Sequence, residues 1–223
     1  MIVDMKLVHV YICDMKASQK KRSYHMGVRA EKVARNDQRI MDAMTDLWLE
    51  TPLLELTLDN VALRSGVTVR TILRKFGSKE GLFKACIDNM GDQLIQNRMQ
   101  VTPGDLDEIL DTLLAEYEHM GDALIRTLTV EYEFKSTREM LKKGRKIHRD
   151  WCAVVFEPYL PSGGGSKYET ILAAFITATE FYLWKLLRRD LGKTAEQCRQ
   201  IFLFSLESLV ANSKNQKNQK NEK

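Results

Sequence analysis

Glycine and proline are scarce in this chain, 12 and 4 among 223 residues. That scarcity excludes a turn-rich β architecture and favours long helices. Cysteine is equally sparse. Cys13, Cys86, Cys152 and Cys198 stand far apart, with no CxxC pair. A disulfide framework or a zinc site is therefore not expected, and a reducing, cytoplasmic location is. Long hydrophobic runs are missing as well. Ile171–Trp184 and Ile201–Val210 are interrupted by Glu180 and Glu207, too short or too broken to span a bilayer. Residues 1–26 hold no apolar stretch or cleavage site of the kind a secretion signal needs, and Asp4 and Asp14 interrupt them. No membrane association is expected. Charge is nearly balanced at +4, too little to argue for a nucleic-acid partner by itself.

Recognisable catalytic patterns are absent too. No HExxH, GxGxxG, GxxxxGK[ST] or GxSxG occurs. His148 and Cys152 have the i, i+4 spacing of a ligand pair, but no third ligand stands nearby, so no metal and no cofactor are expected. His119, near Tyr117 and Met120, suits a capping or pocket-lining role. No nucleophile, base and orienting group come together, and no enzyme is expected.

What is present is helical periodicity. Hydrophobic content is 44% and charged content 29%, enough apolar matter for a sizeable core. Arg29–Glu50 reads as a helix, with Ile40, Ala43, Met44, Leu47 and Trp48 on one stripe. Thr51-Pro52 ends it. Ser78 caps another helix carrying Leu82, Phe83, Cys86, Ile87, Met90 and Leu94, with a break by Pro103-Gly104. Leu106–Leu114 forms a stripe, Met120-Gly121 punctuates, and Leu124, Leu128 and Tyr132 form the next. Further helices are expected over Thr137–Tyr159, Tyr168–Arg189 and Thr194–Ala211, with Ser162–Ser166 as a flexible loop. Met1–Gly27 reads as a loosely attached extension, and Asn212–Lys223 as a disordered polar tail.

The chain is organised around Thr57–Phe83, TLDNVALRSGVTVRTILRKFGSKEGLF. Ala62, Gly66 and Ile72 have the spacing of a helix-turn-helix. Gly66 suits a left-handed turn after the first helix. Thr57 and Thr68 each stand where an N-cap is needed. From Arg64 to Lys79 the charged residues are Arg64, Arg70, Arg74, Lys75 and Lys79, with no acid among them. A helix starting at Thr68 and carrying such a set is suited to an anionic groove.

On these residues the chain resembles the tetracycline-repressor family of transcriptional regulators. Val61-Ala62, Ser65-Gly66-Val67-Thr68, Phe76 and Ser78-Lys79-Glu80-Gly81-Leu82 match that family's N-terminal pattern. Leu73 and Lys75 depart from it, where aromatic residues are usual. The resemblance covers about Arg39–Ile87. It implies an all-α fold: a three-helix DNA-binding domain at 29–83, then a helical effector-binding and dimerisation bundle at 84–211. It also implies a repressor on palindromic double-stranded DNA, released by a small molecule. The alternative is a helical small-molecule-binding protein or enzyme without DNA binding.

Candidate DNA contacts are Thr68, Val69, Arg70, Thr71 and Arg74 towards the groove, with Lys75, Lys79 and Thr57 towards phosphates. With the resemblance as its main support, an apolar effector pocket is expected from Tyr117, Met120, Phe134, Met140, Trp151, Cys152 and Phe156. A homodimer interface is expected on the last two long helices, from Phe175, Ala178, Tyr182, Phe202, Leu203, Leu206 and Val210.

Overall fold

The computed structural model describes residues 30–221 apart from residue 32, with side chains as far as Ser213. The expectations for 1–28 lie outside these. The described residues are helical throughout their regular parts, and no strand occurs among them. Helix α1 spans residues 33–50. There follow α2 (Leu58–Ser65), α3 (Val69–Phe76), α4 (Lys79–Arg98), α5 (Leu106–Leu128) and α6 (Lys135–Val155). A 3-10 turn at Glu157–Tyr159 leads to α7 (Ser166–Ala178). Then come α8 (Phe181–Lys185), which continues as a wider turn over Leu186–Asp190, and α9 (Ala195–Asn221).

Two apolar cores hold these helices. The first joins the α1 stripe, Ile40, Ala43, Met44, Leu47 and Trp48, to Leu56, Val61, Ile72, Leu82, Phe83 and Cys86. Ala123 of α5 is buried in it too, so the two parts of the chain share packing. The second core fills the bundle of α5 to α9, around Ile109, Leu113, Tyr117, Trp151, Phe156, Phe175, Trp184 and Phe202. Its largest side chains interlock: the rings of Phe156 and Phe175 stack with centroids 4.3 Å apart.

Three helix boundaries differ from the expectation. Met120-Gly121 does not interrupt α5, which runs unbroken through it. Gly121 serves packing instead: a Cβ there would lie 2.1 Å from the ring of Trp184. The expected helix Tyr168–Arg189 is broken at Thr179-Glu180. The Thr179 hydroxyl donates to Phe175 O (2.7 Å), and its carbonyl accepts from the Tyr117 hydroxyl (2.9 Å). Glu180 is extended and caps α8, accepting from Phe181 N (3.2 Å). A side chain from another helix thus takes over a carbonyl that would otherwise continue the helical ladder. The last helix continues past Ala211 to Asn221.

Ser166–Asp190 is, by length and composition, apolar enough to cross a membrane, more than the Ile171–Trp184 run suggested. In the fold it bends at Thr179 and packs against α5, α6 and α9.

Candidate nucleic-acid interface and effector cavity

The helix-turn-helix is built from two short capped helices. Thr57 caps α2, accepting from Asn60 N (3.2 Å), and Thr68 caps α3, accepting from Thr71 N (3.2 Å). Gly66 closes α2 in the left-handed region, φ 69° and ψ 28°. The N–H groups of Gly66 and Val67 both donate to Ala62 O, at 3.0 and 3.2 Å. This closed turn fixes the angle between the two helices. Ile72 is fully buried against the first core, so the opposite face of α3 points outward.

That outward face carries the expected groove residues. Thr68, Arg70 and Arg74 are exposed, and Val69 and Thr71 are partly so. Thr57 is exposed at the start of α2. No acidic residue occurs in α3. Neither Arg70 nor Arg74 has an ion-pair partner among the described residues. The two lysines expected at phosphates are engaged locally. Lys75 pairs with Asp37 of α1 (2.7 Å), and Lys79 donates to Leu53 O (3.3 Å). Leu73 is half-exposed beside them.

A second feature lies between α4, α5, α6 and the α7–α8 break. It is a cavity of about 140 Å³, lined on its apolar side by Ile87, Met90, Leu94, Met120, Leu124, Leu128, Met140, Ile147 and Phe181. Of the expected pocket residues, Tyr117, Met120 and Met140 line it. Trp151, Cys152 and Phe156 do not: they are buried in the bundle core itself. Phe134 sits at the N-terminus of α6, outside the cavity and partly exposed. His119 is exposed along α5, neither capping nor lining.

Polar residues missed in the sequence close one end of the cavity. Arg98, the last residue of α4, is buried and bonds Glu116 of α5 through Nη2 (2.7 Å) and Nε (2.9 Å). Its Nη1 lies 3.4 Å from His148 Nδ1, and its guanidinium covers the Trp151 ring at 4.7 Å. His148 Nε2 is 3.2 Å from the Thr179 hydroxyl. That hydroxyl already donates to Phe175 O, so it accepts from His148, which fixes the Nε2–H tautomer and leaves Nδ1 to accept from Arg98. Burial, helped by the Arg98 charge, pushes His148 down to about 4. Burial also pushes the Cys152 thiol up to about 12, so Cys152 is a protonated core thiol, not a thiolate ligand. No group of three metal-ligating side chains occurs among the described residues.

A third contact joins the two parts. The Trp48 indole N–H of α1 donates to Thr127 Oγ1 of α5 (2.9 Å), with both residues buried. Arg126 Nη2 donates to the carbonyls of Trp48 (3.2 Å) and Leu49 (2.6 Å), capping the end of α1. The same α5 supplies Tyr117, Met120 and Leu124 to the cavity wall. The sequence carried a partial signal for these groups. Arg98 follows Met90 and Leu94 at four-residue steps on the inward stripe of α4, and Glu180 interrupts an apolar run.

The expected dimer residues divide. Phe175, Phe202, Leu206 and Val210 are buried in the protomer's own core. Ala178 and Leu203 are partly exposed, and Tyr182 is half-exposed at the cavity mouth. Phe204 of α9 is 71% exposed.

Known proteins agree with this arrangement. Residues 40–86 match the N-terminal model described as bacterial regulatory proteins, tetR family. The chain is 36% identical over 58 residues to the HTH-type transcriptional regulator AlkX of Mycobacterium tuberculosis. That match covers 26% of this chain and 28% of that protein's length. The fold is similar to a tetR-family transcriptional regulator from Streptomyces coelicolor, with a TM-score of 0.63 and 16% identity, over 80% of this chain and 81% of that one. It is also similar to a transcriptional regulator from Rhodococcus sp. Rha1, TM-score 0.59 and 18% identity, over 79% and 96% of the two chains. A TetR transcription regulator from Haloarcula marismortui aligns with TM-score 0.59 and 16% identity, over 78% and 98%. At such identities the structures speak for the fold, and the family model speaks for residues 40–86. In its helix-turn-helix segment this chain is similar to the tetR family of bacterial regulatory proteins, and the fold around that segment is similar to the fold of solved tetR-family regulators.

Proposed function

We propose that this protein is a transcriptional regulator that binds double-stranded DNA through α3 and is released by a small molecule held in the bundle cavity. The observation that carries the DNA reading is the outward face of α3. It presents two arginines with no ion-pair partner among the described residues, and no acid, on a helix whose other face is locked into the core. Arg70 and Arg74 then read base edges, with Thr68, Val69 and Thr71 beside them. The N-terminus of α2 at Thr57 approaches a phosphate. Lys75 and Lys79 act on phosphates as charges already oriented by Asp37 and Leu53 O. In this reading residues 29–83 are the DNA-binding unit and 84–211 the regulatory bundle.

Two copies related by a two-fold axis would set two α3 helices about 34–36 Å apart, on successive major grooves of a palindrome. The outward faces of α7 and α9, with Ala178, Leu203 and Phe204, are the surface we assign to that contact. The cavity supports the effector reading because its wall includes α4, which begins beside the recognition helix at Ser78, and α5, which is bonded to α1. A ligand moves DNA affinity only by its preference for one state, typically ~1–3 kcal/mol, or about 5–150-fold.

The test selects duplexes from a random pool with the full protein and measures affinity by fluorescence anisotropy. A palindromic consensus is expected. Arg70→Ala should cost about 1–3 kcal/mol at one base position, whereas Lys79→Ala should weaken all sequences alike and flatten the salt dependence. A pool that enriches no sequence, or an Arg70→Ala protein with undiminished selectivity, would overturn the assignment.

A further inference from the structure

We infer that the molecule held in the cavity carries a cationic nitrogen, which pairs with Glu180. This rests on the reading of the cavity as an effector site and names the chemistry that the site selects.

The argument is the charge balance of the lining. Three cations border the cavity, Arg98, Lys143 and Arg145. Each already bonds a carboxylate: Arg98 with Glu116 (2.7 Å), Arg145 with Glu131, and Lys143 with Asp88 (3.0 Å), which Lys84 shares (2.8 Å). His148 is neutral and spends both ring nitrogens on Arg98 and Thr179. Glu180 is the lining charge left over. One of its oxygens accepts the backbone N–H of Phe181 (3.2 Å), and the carboxylate has no ion pair among the described residues. Burial holds the Glu180 carboxyl above its usual range, and the charges of Arg145 and Arg98, each bonded to its own acid, oppose that; a cationic partner inside the cavity favours the ionised form further.

An incoming anion therefore finds each lining cation already bonded to a carboxylate among the described residues, and meets a carboxylate that has no ion pair. An incoming ammonium finds a carboxylate with one oxygen bonded only to a backbone N–H and with no ion pair among the described residues, in partly desolvated surroundings where a charge-assisted bond is strongest. The rest of the ligand faces Leu94, Met120, Leu124 and Met140, flexible apolar side chains that shape themselves to a compact hydrocarbon. A cavity of about 140 Å³ suits a small body: an engineered cavity of roughly 150 Å³ takes up benzene. The class of ligand is a small amine with a single apolar ring or short chain.

The test uses three probes of similar size: 2-phenylethylamine, 2-phenylethanol and phenylacetate. Binding to the full protein is measured by isothermal titration at neutral pH. The amine is expected to bind at least about tenfold more tightly than the alcohol or the acid. Glu180→Gln keeps an acceptor for the Phe181 N–H and should remove that preference while leaving the alcohol unchanged. Glu180→Asp should keep part of it, which guards against a folding defect in the first variant. Equal or tighter binding of the acid, or an amine affinity unchanged by Glu180→Gln, overturns the inference while the cavity stands. If none of the three binds at millimolar concentration, the effector site itself is refuted, and the inference with it.

Discussion

Thr127→Val tests whether the two parts of the molecule are mechanically joined. The substitution keeps shape and removes only the hydroxyl. In the native protein Thr127 Oγ1 donates to Ala123 O (2.8 Å) and accepts the Trp48 indole N–H (2.9 Å). Ala123 O lies inside α5 and keeps its helical partner. The indole N–H loses its acceptor, and Trp48 is only 2% exposed, so water cannot replace it. Leaving such a donor buried and unpaired costs about 1–3 kcal/mol. For a protein of this size that lowers the midpoint by roughly 2–4 °C per kcal/mol. Thr127→Ser retains the acceptor and should stay near wild type. The functional consequence follows from α5, which carries both this bond and the cavity wall. If α1 takes its orientation from α5, loosening the joint should reduce the ligand's effect on operator affinity more than it reduces either binding event alone. Denaturant unfolding and anisotropy with and without ligand measure the two effects. Equal stability of the Val and Ser variants would refute the burial argument. A Val variant destabilised but with undiminished coupling would show that α4 alone transmits the signal.

Four further outcomes are expected. Arg126→Ala should free the carbonyls of Trp48 and Leu49 and destabilise α1, by about 1 kcal/mol at this partly buried site, read as faster hydrogen exchange at the end of that helix. Gly121→Ala should cost at least about 1–3 kcal/mol by thermal unfolding, because the new Cβ overlaps the Trp184 ring at 2.1 Å. Gly144 is the opposite case: it lines the cavity with open space around its Cβ position, so Gly144→Ala should stabilise α6 by about 0.5–1 kcal/mol, while Gly144→Trp should fold and compete with ligands for the mouth. His148, folded near 4 against an ordinary 6.5, makes the unfolded state the stronger proton binder between those values. Stability is therefore present above pH 6.5 and lost as pH falls towards 4, by up to roughly 3 kcal/mol. Burial holds Glu116 and Glu180 above their usual range, which acts in the opposite sense, so the slope is read as the difference between wild type and His148→Gln.

What could be read from the sequence was what repeats along one helix. The stripe from Ile40 to Trp48, the caps at Thr57, Thr68 and Ser78, and the left-handed Gly66 are local, and all stand where spacing puts them. The bases of α3 were visible for the same reason. The cavity was not, because its wall is chosen by tertiary packing. Trp151, Cys152 and Phe156 have the side chains of a pocket, yet Cys152 and Phe156 face the bundle core, away from Met140 and Ile147, and Trp151, on the same face but further along α6, is covered by the Arg98 guanidinium. Apolar character cannot separate these two faces of α6. Phe175, Phe202 and Leu206, expected at a dimer contact, are buried within the protomer: an apolar stripe says that a face is buried, not whether by the same chain or a second copy. Phe204, off that stripe and left in solvent, carries the second kind of information.

Charge out of place turns out to be the more specific signal. Arg98 stands in the apolar register of α4, and Glu180 stands inside an apolar run. Each is costly to bury alone, so each implies a partner that the local sequence does not contain. For Arg98 the fold supplies it: Glu116 from α5, with His148 from α6 and the Trp151 ring completing the shell. That network also explains the break in the helix over 168–189, since Tyr117 and His148 claim the carbonyl and hydroxyl of Thr179. The break is what turns Glu180 into the cavity. For Glu180 no cation among the described residues forms an ion pair, and Arg145 and Arg98 act on it only through their charge. Two polar residues on one wall, with the same local oddity, thus end differently: one is consumed in holding the bundle together, and the other is left facing the space between the helices. A carboxylate kept there against its desolvation cost, while the three cations of the lining are each bonded to other acids, is better explained by what enters the cavity than by anything that surrounds it.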